Sequence, residues 1–192
     1  MTTIIRQIQK EDNLALAEMI RTVFIEHDAA QEGTVFSDPT TDHLFELFQV
    51  EKAVLWVLEI NEEVVGCCGV YPTEGLPEKC VELVKFYISK DGRGLGFGLK
   101  LMYKCFESAL EFGYQSIYIE SLPEYSKAVE IYKKAGFEQL KNPLGNSGHP
   151  ACNLWFLKDI ELDEDFLFGK ILKSEKTGKN VSRETILKKL KS

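Results

Sequence analysis

Long hydrophobic runs are missing from this sequence. No stretch approaches the ~18 consecutive apolar residues that a membrane-spanning helix needs, and the first ten residues carry no apolar signal-peptide core. No membrane partner is expected. Cysteine is scarce and badly spaced for staples. Cys67, Cys68, Cys80, Cys105 and Cys152 form an odd set without C-x-x-C, which excludes a disulfide framework and makes a reducing cytoplasm the expected location. Histidine is scarcer still, with three residues. His149 and Cys152 are a lone pair, short of the three or four ligands of a zinc site, so no metal is expected. Basic charge is also in deficit: 23 Lys+Arg against 30 Asp+Glu leave a formal charge of -7. An acidic body repels phosphate backbones, so nucleic acid is not an expected partner and cationic substrates are favoured.

What is present reads as an ordinary globular chain. Its 192 residues, 44% apolar, suit one domain with an appendage. Residues 3–8 are β-branched and short, a first strand. Asp12 is a candidate helix cap, followed by Leu14, Leu16, Ala17, Met19, Ile20, Val23 and Phe24 on one helical face. A loop over residues 27–41 leads to a short helix over residues 42–48. Residues 53–60 and 64–71, separated by a tight turn at 61–63, form a hairpin. Residues 80–88 make the next strand. Strict alternation sets Glu82, Val84, Phe86 and Ile88 on one face and Val81, Leu83, Lys85 and Tyr87 on the other. A glycine-rich turn, a long amphipathic helix ending near Gly113 and a strand over 116–121 follow. Then come a helix over 126–135 that stops at Gly136, a strand from 137, a loop over 142–150 and a last strand over 152–160. This order is a mixed α/β sandwich around one central sheet.

Residues 1–160 are read as the domain and residues 161–192 as a basic, partly helical extension. From residue 170 onward there are eight Lys+Arg and two acids, against fifteen bases and twenty-eight acids before it. Such a block is either a solvated extension or a strap for an acidic surface, the body's own or that of a second copy in a homodimer.

The strongest chemical signal is Arg93-Gly94-Leu95-Gly96-Phe97-Gly98 between the 80–88 strand and the long helix. Glycines let backbone approach a ligand closely, and first-turn N–H groups have no internal acceptors. A pyrophosphate suits that place; a plain turn is the alternative reading. The spacing G-x-G-x-G is not the G-x-G-x-x-G of dinucleotide folds, and no Gly-Lys-Ser/Thr of a P-loop is present. A second signal is A-x-x-x-Y-x-x-x-G-F, from Ala128 through Tyr132 to Gly136 and Phe137.

Together and in this order, R-x-x-G-x-G and A-x-x-x-Y-x-x-x-G-F resemble the GNAT superfamily of acyl-CoA-dependent N-acetyltransferases, over about residues 3–160. The resemblance implies a mixed, mostly antiparallel central sheet flanked by helices, with a splayed parallel strand pair made by 80–88 and 116–121. It implies acetyl-CoA as co-substrate, with its pantetheine arm in the splay. The Phe86 N–H would hold the thioester carbonyl, Tyr87 and Ile88 would border the pantetheine, and the amides from Arg93 through Gly94, Leu95, Gly96 and Phe97 to Gly98 would hold the pyrophosphate. Many members carry Asn seven residues before the tyrosine; here that residue is Tyr125, and Ser126 is the candidate substitute contact. Lys133 and Lys134 either meet a 3′-phosphate or form a solvated face.

The chemistry implies two further roles. An ammonium must lose a proton before it attacks a thioester. Glu82 is the candidate base, as a glutamate at this strand position is in some family members, and it is expected on the same face as Phe86. The departing thiolate is better protonated; Tyr132 matches the family tyrosine that does this, and a phenol is neutral at pH 7. Acceptor loops at residues 33–43, 71–77 and 144–152, with Glu120, form an expected acidic rim. Tyr71, Glu120 and His149 are the candidate substrate contacts. The expected activity is acetyl transfer to a primary amine by direct attack in a ternary complex. The competing reading is a non-catalytic acyl-CoA-binding sensor or docking module.

Overall fold

The computed structural model describes residues 1–160; the expected basic extension lies outside the described residues. One seven-stranded sheet runs in the order β1-β2-β3-β4-β5-β7-β6. Its strands are β1 (Thr3–Gln7), β2 (Val54–Ile60), β3 (Glu63–Tyr71), β4 (Cys80–Ile88), β5 (Ser116–Ser121), β6 (Glu138–Leu140) and β7 (Leu154–Asp159). Only β4 and β5 are parallel; all other neighbours are antiparallel. The β2–β3 hairpin closes on Asn61 and Glu62, both in the left-handed region, the two-residue turn geometry that matches strand twist. Four helices complete the domain: α1 (Asn13–Glu26), α2 (Leu44–Leu47), α3 (Phe97–Glu111) and α4 (Ser126–Lys134). Among the described residues no helix is long and apolar enough to cross a membrane.

The sheet separates two apolar layers. Leu16, Ile20 and Phe24 of α1 pack with Leu44 of α2 against one face. Leu101, Met102, Cys105 and Phe106 of α3 pack with Tyr132 of α4 against the other. Each fully buried large side chain contributes about 1.5–3 kcal/mol. The α1 pattern holds except at Leu14, which is 69% exposed. It lies on the first turn, where helical side chains lean back past the helix end. The helix expected over 42–48 begins earlier, as a 3-10 turn over Pro39–His43. Asp38 starts it, its Oδ1 accepting from Thr40 N at 2.8 Å, with Pro39 at the first position. Asp12 does not cap α1 with its side chain. Its carboxylate instead accepts from both Arg6 terminal nitrogens at 2.7 and 2.8 Å and from Gln9 N at 2.7 Å.

The alternation expected along β4 fails at one residue. Gly69 pairs with Val84, but Cys67 pairs with Tyr87, so two steps on β3 face three on β4. Lys85 is the extra residue and adopts φ 53°. A bulge of this kind bends the strand and reverses the facing beyond it. Val84 and Tyr87 consequently pack on the α1 side, and Leu83, Phe86 and Ile88 on the α3 side. Glu82 and Phe86 lie on opposite faces, contrary to the alternation. The β4–β5 pairing runs from Cys80↔Ser116 to Glu82↔Tyr118 and stops there. Residues 83–88 diverge from 119–121, and the sheet opens between them.

Gly69 has its own packing reason. A Cβ there would lie 2.6 Å from the Val54 carbonyl oxygen and 2.9 Å from both Leu55 Cδ1 and Phe48 Cε1. Gly69→Ala is expected to destabilise the domain by roughly 1–3 kcal/mol, the usual range for overpacking. A urea titration checks this through a lowered midpoint with an unchanged slope.

Candidate active site

The opening between β4 and β5 continues into one cavity of about 840 Å³. Its first wall is the turn into α3. Gly94 and Gly96 both adopt φ 77°, and a Cβ on either would meet nothing within 4 Å. Their requirement is therefore conformational: the left-handed region costs other residues roughly 1–2 kcal/mol. Gly96 precedes α3, and no side chain caps the helix. The amides of the first turn are thereby left facing the cavity with the positive end of the helix dipole. Arg93 braces the turn from behind. Its Nε donates to the Ile88 carbonyl at 2.8 Å, and its Nη2 lies 2.7 Å from Glu26 Oε2 of α1 without hydrogen-bond alignment. An uncapped, glycine-lined helix start fits a coenzyme pyrophosphate, and the apolar slot between parted strands fits a pantetheine arm.

The deep wall holds Glu82 and Tyr132. Glu82 is 4% exposed, and its Oε2 accepts from the Thr73 hydroxyl. Burial pushes its carboxyl up to about 7; Thr73 and Lys85 oppose this and Glu120 adds to it. Tyr132 is equally buried, and its ring is held by Phe86, Phe137 and Phe156 at centroid separations of 6.1, 6.1 and 5.7 Å. Burial keeps its phenol well above the ordinary tyrosine range, with Ser121 the opposing neighbour.

Three loops enclose the other end. Asn146 N donates to the Glu74 carbonyl at 2.8 Å and Ala151 N to the Gly33 carbonyl at 3.3 Å. His149 Nε2 lies 3.2 Å from Asp38 Oδ2, and Lys85 Nζ lies 3.5 Å from the same oxygen. Burial alone would raise the Asp38 carboxyl, but Thr40, Lys85 and His149 hold it down to about 2. Burial lowers His149, Lys85 adds to this and Asp38 opposes it. Glu120 accepts from Tyr118 OH at 2.8 Å and from Ser147 Oγ at 2.6 Å. Tyr71 lines the same end, its ring 5.6 Å from Phe48.

Of the residues selected from the sequence, Glu82, Tyr132, Phe86, Tyr87, Ile88, Arg93, Gly94, Gly96, Phe97, Gly98, Tyr71, Glu120 and His149 all line this cavity. Leu95 and Ser126 do not; Leu95 is 49% exposed. Tyr125, beside Ser126, lines it instead. The Tyr125 ring stacks edge-on against Phe24 and His27, and its buried hydroxyl has no partner among the described residues. Lys127 reaches the cavity where Lys133 and Lys134 do not. Sequence reasoning passed over Thr73, Ser147 and above all Lys85. The one available signal was a lysine in the otherwise apolar series Val81, Leu83, Lys85, Tyr87. All five cysteines are free thiols, and Cys152 borders the cavity.

The model of the acetyltransferase (GNAT) family matches residues 20–137. The uncharacterised N-acetyltransferase YjgM of Escherichia coli K12 is 32% identical over 158 residues, which are 82% of this chain and 95% of that protein. A GNAT-family acetyltransferase from Staphylococcus aureus Mu50 superposes with a TM-score of 0.73 at 19% identity, covering 83% of this chain and 99% of the other. The yncA protein of Salmonella typhimurium, solved with its cofactor acetyl-CoA, gives 0.65 at 18% identity over 83% and 95% of the two chains. The parted strands, the glycine turn and these likenesses agree: the chain belongs to the GNAT family of acetyltransferases and is an acyltransferase.

Proposed function

We propose that this chain transfers an acetyl group from acetyl-CoA to a primary amine by direct attack within a ternary complex. The observation that carries the reading is the single cavity that joins the glycine turn, the β4–β5 gap, Glu82 and Tyr132. Acetyl-CoA supplies the thioester. The first-turn amides of α3 take its pyrophosphate, and the open stretch of β4 borders its pantetheine arm. The buried Tyr125 hydroxyl is the polar contact on the α4 side, in place of Ser126.

Glu82 takes a proton from the acceptor ammonium, directly or through one water, so that nitrogen can attack the carbonyl carbon. A carboxyl raised to about 7 is matched to that task near neutrality. The Phe86 N–H donates to the carbonyl oxygen as it gains negative charge. As the C–N bond forms and the C–S bond breaks, Tyr132 gives its proton to the departing sulfur. A phenol held above the ordinary range stays protonated through neutral pH. The products are the N-acetyl amide and the free coenzyme thiol. The nitrogen gives up its second proton to solvent as the tetrahedral adduct collapses. Glu82 has then gained one proton and Tyr132 lost one, solvent exchange restores both, and each turnover releases one proton net.

Titration calorimetry tests the base of this scheme: CoA and acetyl-CoA are expected to bind, and no heat at millimolar ligand would overturn it. Tyr132→Phe is expected to lower kcat by about 100-fold, within the span for general acid–base groups, with the Kd for CoA nearly unchanged. The pH profile carries a sign. Protonation removes the base, so kcat/KM should rise with pH through about 7 and level off above it. Glu82→Gln should lower kcat/KM and flatten that inflection; an unaltered inflection in the variant removes Glu82 from the mechanism.

A further inference from the structure

We propose that the acceptor is an amino acid or a close analogue, and that Lys85 holds its carboxylate while the Glu82–Glu120 side receives its amine. This deepens the acetyltransferase reading and rests on it. The starting point is a buried cation with too few partners. Lys85 is 6% exposed, yet it lines the acceptor end of the cavity. An ammonium carries three donors, and a buried charge is costly unless it is paired and hydrogen-bonded. Among the described residues its one acceptor is Asp38 Oδ2 at 3.5 Å, long beside the ~2.7–2.9 Å of a good charge-assisted bond.

Asp38 is itself divided. Its Oδ1 accepts from Thr40 N and Thr40 Oγ1, both at 2.8 Å, and His149 shares its Oδ2. Lys85 therefore keeps donor capacity that the protein does not fill, beside a cavity large enough for a ligand. A simple alkylamine or a polyamine leaves that capacity unused and brings its own positive charge toward the ammonium. A molecule with an amine at one end and a carboxylate at the other meets both poles. The rim expected to be acidic from the sequence is in fact bipolar. Glu82 and Glu120 make one pole, and the Lys85 ammonium, paired to Asp38, makes the other. The bulge creates this arrangement by turning Lys85 out of the strand's alternation.

The test uses the full chain, acetyl-CoA and matched acceptors: glycine, β-alanine, γ-aminobutyrate, leucine and phenylalanine, each beside its carboxamide, and leucine and phenylalanine also beside their decarboxylated amines. At least one free acid is expected to exceed its neutral partners in kcat/KM by about 30-fold or more, the scale of a desolvated charge contact. Lys85→Met should collapse that acid-to-amide ratio toward one. Asp38→Asn, which removes the competing carboxylate, should leave the ratio intact or raise it. Equal or better use of the amides and amines overturns the proposal, as does a ratio unchanged in Lys85→Met. Should Lys85→Met fail to fold, the matched pairs on the unaltered protein decide alone. CoA binding by calorimetry separates the two levels: heat from CoA and acetylation of simple amines, without gain from the carboxylate, overturn this proposal and leave the transferase reading standing.

Discussion

Two parallel strands stay together only while both keep regular pleats and a common twist, and in this domain β4 and β5 part after Glu82, where one further residue of β4 departs from the pleat. Lys85 takes a left-handed backbone in the middle of β4, which places three residues of β4 opposite two of β3. The strand bends there, and its pairing to β5 has already stopped at Glu82↔Tyr118. The facing of Phe86 toward Tyr132, across the stretch where the strands have parted, follows from this irregularity. The strain of a left-handed lysine is of order 1–2 kcal/mol. It is tolerated because β3 and the loops around Asp38 determine the position from several directions. The Cys67 thiol donates to the Lys85 carbonyl at 3.0 Å, a buried bond that ties the bulge to β3.

The electrostatics of the site follow from the same opening. Glu82 sits below water yet beside Glu120, so its ionised form is disfavoured twice, first by burial and then by like charge. Linkage gives the sign of the effect on folding. A carboxyl that binds its proton more tightly when folded than when unfolded costs stability as pH climbs from the ordinary carboxylate value toward 7. The fold thus carries a charge in an unfavourable place, where the proposed reaction uses its basicity. Tyr132 is shifted upward by burial also, but for a phenol that preserves the neutral donor. One buried environment keeps the phenol protonated and raises the basicity of the carboxylate.

Much of this architecture was legible in the sequence, and the parts that were not share a cause. The bounds of β4 and β5, the amphipathic α3, the glycine cap at Gly136 and the Tyr132 helix follow local rules of periodicity and turn chemistry, and the structure bears them out. The facing of residues beyond Lys85 did not follow, because alternation assumes an unbroken ladder and nothing local marks an extra residue. Thr73, Ser147 and the Asp38–His149–Lys85 group were equally hidden. They meet across sequence separations of up to 111 residues, and each alone reads as loop chemistry. The shift from Ser126 to Tyr125 was invisible for a different reason. Both are polar, and only the stacking of Tyr125 on Phe24 and His27 decides which of them turns inward.

The two ends of the cavity are built by different means, and this bears on where specificity resides. The coenzyme end consists of backbone: strand edge, glycine turn and helix start, held by the sheet and by buried α3. The other end combines the strand residues Lys85 and Glu120 with side chains on three loops, joined by a few bonds such as Asn146 N to Glu74 O and Ser147 to Glu120. Loops tolerate substitution far better than a sheet does, which sets Asp38 and His149 apart from Lys85 and Glu120. Lys85 and Glu120 belong to the sheet, on β4 and β5. Lys85 is itself the bulge residue of β4, so the irregularity that turns Phe86 toward Tyr132 also places an ammonium beside Asp38 at the other end of the cavity.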